Sequence, residues 1–294
     1  MRRLFFSRFG LFAMVISCLS LSAGQNLSDR ASHNRASQAG SAGPQANQQQ
    51  ARAIIDKMIQ VLGGEAYMTA QDLKSEVRFG SFQHGSVTAT ALFRRYWQWP
   101  DKERVEFPSG SGAVSGYAAS WPFQTQKTAD AALILLHNGD KGYEKTSRGI
   151  RPQAPEQLRR HLQARDHSLA VVLRQWLQAP GVALFYDGPT IAENRAAEKV
   201  TIMNARNQAV TLLIAADTHL PIKKVYIVRD PVSRDHDEEV EVYDNWKIVQ
   251  GIATPYNILL MHNGEMAGQQ YVLSISYNNR LEPALFEPGP NADR

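Results

Sequence analysis

The 294-residue sequence holds a single cysteine, Cys18, which can form no internal disulfide, so the fold must be held together by packing. It has no uninterrupted apolar run of the roughly 18 or more residues that a membrane-spanning helix needs. It also lacks the short signatures of several enzyme classes. There is no H-E-x-x-H zinc pair and no G-x-x-x-x-G-K-[ST] phosphate loop, and the eight histidines are scattered. The nearest approach to a nucleophile elbow, "GAVSG" at Gly112 to Gly116, has the wrong spacing and no helix after it. No catalytic residue, metal or cofactor is therefore expected. Acidic residues are missing from the first 24 positions, where Arg2, Arg3 and Arg8 account for three units of the chain's formal net charge of +4. The remainder is nearly neutral and gives no electrostatic reason to expect a nucleic-acid partner.

What is present begins with an export signal. "MRRLFFSRFGLFAMVISCLSLSAGQN" places arginines before an apolar run from Phe9 to Leu21 and small residues after it. Residues 1–24 are read as the signal peptide, cleaved near Ser22 to Gly24. The segment Val15-Ile16-Ser17-Cys18 offers a second reading, a lipobox in which Cys18 is lipidated. The first makes the mature protein periplasmic; the second anchors it to a membrane. Residues 25–47 are rich in Ser, Ala, Gln, Asn and Gly, bury too little apolar surface to offset ordering entropy, and read as a disordered linker. Residues 48–288 then form a single domain, and the chain, 43% hydrophobic over its full length, is large enough to enclose a sizeable core.

Within that domain Ile54, Ile55, Met58, Ile59 and Leu62 recur at helical spacing before the Gly63-Gly64 stop. The period then becomes alternating through "LKSEVRFGSFQ", "SVTATALFRRYWQ" and "ERVEF". Residues 108–130 break the pattern as a Gly/Ser/aromatic insertion. A second helical stretch spans about Pro155 to Gln178, with Leu169, Val172, Leu173, Trp176 and Leu177 on one face. Strands follow to the end, punctuated by short turns. The pattern predicts a mainly β protein with some helix, built on a strongly curved antiparallel sheet of about eleven strands with helices against its concave face.

Three polar clusters invite a chemical reading. "RDPVSRDHDEEVEVYDNW" gathers Asp230, Asp235, His236, Asp237, Glu238 and Glu239 without the spacing of a calcium loop, and reads as a solvated hairpin loop between alternating strands. Arg159, Arg160, His161, Arg165 and His167 lie among helix formers and present either a solvated face or an anion or membrane-surface patch. The tetrapeptide His-Asn-Gly-acid occurs twice, offering His137, Asp140, His262 and Glu265 as donors. Each copy follows an apolar β-run, so both read as Asn-Gly hairpin tips of type I′.

Several strands carry large apolar residues on both faces, as in "TLLIAA" and "YNILLM". Helices and sheet therefore enclose either a filled core or a partly open apolar cavity. Candidate ligand contacts are Phe93, Trp97, Leu169, Leu173, Trp176 and Tyr226, each also suited to plain core packing. The segments "ALFRRYWQWPDKERVEF", "LLHNGDKGYE", "LPIKKVYIVRDP", "VEVYDNWKIVQGIATPYNI" and "QQYVLSISYNN", in this order of elements, resemble the LolA-like superfamily of periplasmic lipoprotein carriers, including outer-membrane lipoprotein-sorting proteins. The resemblance implies an unclosed half-barrel with residues 155–178 as a lid over an apolar cavity for acyl chains. It implies a monomeric, non-enzymatic carrier or chaperone of lipid or acylated lipoprotein, with an inner- or outer-membrane protein as partner. The alternative is a structural or regulatory envelope module that binds another protein through the same half-barrel.

Overall fold

The computed structural model describes residues 43–110, 132–229 and 235–289. The signal segment with Cys18, the linker up to residue 42 and nearly all of the insertion lie outside these ranges. Helix α1 runs over Pro44–Leu62, four residues further toward the N-terminus than the apolar period alone indicates, with Pro44 in its first turn. Ala51, Ile55, Met58 and Leu62 form its buried stripe, and each of the three large side chains contributes about 1.5–3 kcal/mol by leaving water. Gly63 ends it at φ 127°; a β-carbon there would meet the Gly251 carbonyl oxygen at 2.5 Å. A short helix α2, Glu65–Thr69, follows.

The strands are β1 (Asp72–Gln83), β2 (Ser86–Gln98), β3 (Lys102–Phe107), β4 (Leu133–Asn138), β5 (Lys141–Thr146) and β6 (Gly149–Pro152). After helices α3 (Pro155–Asp166) and α4 (Leu169–Arg174) come β7 (Ala183–Ala192), β8 (Arg195–Met203), β9 (Ala209–Ala215), β10 (Pro221–Arg229), β11 (His236–Val249), β12 (Ile252–His262) and β13 (Glu265–Tyr277). All thirteen lie in one antiparallel, unclosed sheet, in the order β6-β5-β4-β3-β2-β1-β13-β12-β11-β10-β9-β8-β7. The half-barrel architecture is as expected, with two more strands. The run around Asn138-Gly139 is two strands, and Gly149–Pro152 is a short edge strand whose proline suits a sheet border.

This order means that each half is a meander. The first runs from the centre to one edge, the second from the other edge back to the centre, and β1 meets β13 in the middle. The link from β6 to β7 must therefore cross the whole sheet, and it crosses as α3, α4 and a 3₁₀ turn at Trp176–Gln178. One core packs α1 and α4 on the second meander, joining Met58, Leu173 and Trp176 to Val200, Val210, Leu212 and Tyr226. The other fills the first meander with Val77, Phe79, Phe93, Val105, Phe107 and Leu135, with Ala164 of α3 against it. Among the described residues no helix is long and apolar enough to cross a membrane.

The two His-Asn-Gly stretches are hairpins of different kinds. In the second, Asn263 and Gly264 take φ of 50° and 80° between His262 and Glu265, as a type I′ turn requires. In the first, Asn138 still pairs with Lys141, so the central pair is Gly139-Asp140 and only Gly139 has positive φ, 62°. That is the pattern of a type II′ turn. The type I′ expectation thus fails for the first copy, because the strand continues one residue further.

Candidate functional site

Strand register assembles the site. Glu103 of β3 lies opposite both Trp97 of β2 and His137 of β4, so all three share the inner face. Helix α3 brings in His161, whose ring stacks on that of His137 with centroids 3.3 Å apart and planes within 6°. Both imidazoles turn Nδ1 toward one carboxylate oxygen: Glu103 Oε2 is 3.4 Å from His137 and 3.5 Å from His161. The other oxygen accepts from Arg95 Nε at 2.5 Å. As the Gln153 amide is placed, His137 Nε2 donates to its oxygen at 3.0 Å, which leaves the lone pair on Nδ1. Neither nitrogen of His161 has a hydrogen-bond partner. A buried polar group left unpaired costs about 1–3 kcal/mol, so this trio is a local expense of the fold.

The charges follow from the surroundings. Burial alone would raise the Glu103 carboxyl, but the Arg95 guanidinium outweighs it and holds the group below the usual carboxylate range. Burial pushes His161 well below the ordinary imidazole value, so it is neutral at physiological pH. A second buried polar group lies across the sheet. Lys224 of β10 is fully buried and opposite Glu241 of β11, with Nζ 2.9 Å from Oε1. Tyr243 donates to the other Glu241 oxygen, and burial followed by that carboxylate raises its phenol well above the ordinary range.

Between these two groups, under the break from α3 to α4, is a cavity of about 240 Å³. Leu73, Trp97, Ala164, Ala170, Ile258 and Leu260 give it apolar wall; Arg95, Asp101, Glu103, His161, Arg165, Ser168, Glu241 and Gln270 give it polar wall. It sits at the middle of the sheet, where β1 and β2 of one meander approach β11, β12 and β13 of the other. The arrangement can hold an apolar chain beside charged groups of both signs.

Of the residues singled out from the sequence, Trp97 lines this cavity. Phe93 is fully buried against Phe107, ring centroids 5.4 Å apart. Leu173, Trp176 and Tyr226 belong to the core under α1 and α4, and Leu169 packs at its margin. The basic cluster on α3 divides: Arg159 and Arg160 bind Glu156 near solvent, Arg165 donates to the Gly139 carbonyl, and His161 and His167 turn inward and are buried. His262 pairs with Glu239 at 3.0 Å, far in sequence and strand order from His137. Sequence reasoning placed His161 only in a basic surface cluster and missed Glu103, Lys224 and Glu241 as site residues. Their signal was phase, since Glu103 alternates with Val105 and Phe107, and Lys224 with Ile222 and Tyr226, on faces that otherwise bury apolar groups.

No protein-family model and no curated protein sequence matches the chain. Solved structures do. A DUF1329 family protein from Desulfovibrio piger superposes with a TM-score of 0.51 at 12% identity, covering 81% of this chain and 97% of that one. A domain described as a putative outer membrane lipoprotein-sorting protein, from Vibrio parahaemolyticus, superposes with a TM-score of 0.50 at 9% identity, covering 82% and 97%. The fold is LolA-like. At such identities the likeness is one of fold, so the LolA-like sheet of this chain must be interpreted through its own inner face.

Proposed function

We propose that the protein is an exported carrier that holds a lipid or lipoprotein acyl chain in the cavity under the α3–α4 break, without covalent chemistry. The observation that carries the reading is that cavity, placed at the centre of a LolA-like sheet beneath the one connection that must cross it. Leu73, Trp97, Ala164, Ile258 and Leu260 suit an acyl chain, and Arg95 and Arg165 suit an anionic headgroup or a carboxylate. Burial is worth about 0.8 kcal/mol per methylene, so about ten methylenes offer ~8 kcal/mol, of micromolar order before ordering costs. At about 240 Å³ the space falls below the roughly 300–1,000 Å³ of drug-sized sites, so a full chain requires α3 to lift. The sorting domain that shares the fold supports this class of cargo. The export signal supports a periplasmic location, with lipidation at Cys18 as the anchored alternative.

The filled core under α1 and α4 favours a second reading for that half of the sheet, a module that binds another protein. Uptake of a fluorescent fatty acid by the full chain separates the two. Ala164→Trp, which fills the cavity from α3, should lower uptake at least tenfold with little change in the unfolding midpoint. Uptake equal to wild type in a folded Ala164→Trp protein contradicts the carrier reading.

A further inference from the structure

We propose that Glu103, His137 and His161 form a binding site for one divalent transition-metal ion of the zinc type. Two imidazole nitrogens and a carboxylate oxygen are a donor set that zinc accepts with three protein ligands and a fourth position left open. Among the described residues this is the one trio of ligand-type side chains whose donor atoms all lie within 4.8 Å of one another. Zinc at about 2.0–2.1 Å from each tetrahedral donor sets donors about 3.3 Å apart, and with oxygen-to-nitrogen edges of 3.4 and 3.5 Å the three donors are within reach of one ion once a ring turns.

Charge and hydrogen bonding point the same way. Glu103 keeps Oε2 for the trio because Arg95 takes Oε1. With Nε2 of His137 donating to Gln153, its Nδ1 lone pair faces a carboxylate oxygen, an arrangement that calls for a cation between them. A hydrogen bond from the far nitrogen of a ligating histidine to an amide oxygen is also the usual support for metal ligation. His161 is about 95% buried, and both of its nitrogens are unpartnered. Glu103 and His161 both line the cavity, so the open coordination position faces it and can take water or the anionic end of whatever the cavity holds.

One movement is required. An ion must lie in the plane of each ring that binds it, and rings 3.3 Å apart with planes within 6° cannot share one. His161 is the ring free to turn, since no hydrogen bond fixes it, whereas Gln153 holds His137.

The inference does not rest on the carrier reading, and its test needs no lipid. Full-length protein stripped with chelator is titrated with Zn²⁺ by calorimetry and with Co²⁺ by visible absorption, and unfolding midpoints are recorded with and without Zn²⁺. The expected result is one equivalent of Zn²⁺ bound, a higher midpoint, and a Co²⁺ spectrum of four-coordinate type. His161→Gln should abolish all three. Gln153→Ala, which leaves every ligand in place, should weaken binding about 10- to 100-fold. Absence of stoichiometric binding by folded protein overturns the proposal. So does binding that persists in His161→Gln but is lost in His262→Gln, which would place the ion at the Glu239–His262 rim.

Discussion

Trp176 is 5% exposed, lies in the core with Val172 and Leu173, and meets the edge of His167 at 5.5 Å between ring centroids. It does not line the cavity. Trp176→Ala is therefore expected to lower stability by about 3–5 kcal/mol in chemical denaturation and to leave fatty-acid uptake per folded molecule unchanged. Lost uptake with an unchanged midpoint would make the indole a ligand contact instead. The sequence marks Trp176 as inward by helical spacing, but spacing cannot separate a residue that fills a core from one that walls a void. Charged residues on inward faces were legible by phase, as with Glu103 beside Val105. What they meet was not, because the strand register and the packing of α3 decide it. His161 was the hardest case: α3 is polar around most of its circumference, so no apolar stripe points to the buried side.

Helix α3 and helix α4 look continuous in the sequence because Leu169, Val172, Leu173 and Trp176 carry a helical period on directly after the break. Ser168 interrupts them, its side chain accepting from the Val171 amide at 3.3 Å as an N-cap. His167 closes α3, with Nδ1 2.8 Å from the Gln163 carbonyl oxygen and its ring stacked on Tyr226 at 4.5 Å. Burial lowers its pKa below the ordinary 6.5; Lys224 and Arg206 act in the same direction, against the Gln163 hydrogen bond and Asp166. As pH falls through about 6.5 the unfolded chain takes up a proton that the folded chain resists, so stability present above that pH is lost below it. His167→Gln keeps a donor for Gln163 without a titrating ring. Its unfolding midpoint should fall less than that of wild type between pH 7.5 and 5.5. Equal falls would mean that the break does not carry this titration. The hairpins show the same limit of sequence reading: both His-Asn-Gly copies were legible as turns, but the strand ends, which fix the turn type, were set by pairing.

At the scale of the molecule, sequential antiparallel pairing was legible because short turns join neighbouring strands. The β1–β13 seam was not, since it joins residues more than 200 positions apart (Leu73 opposite Tyr277) and no local pattern records it. That seam forces the β6-to-β7 connection across the sheet and so sets α3 and α4 over the cavity. A lid in this position is a consequence of topology, and the polar groups beneath it distinguish this inner face from a plain apolar core. The most direct measurement is native mass spectrometry of the full chain purified from the cell envelope. The account predicts protein carrying one lipid or fatty-acid molecule, absent from folded Ala164→Trp. Bare protein that takes up no fatty acid when it is supplied would contradict it.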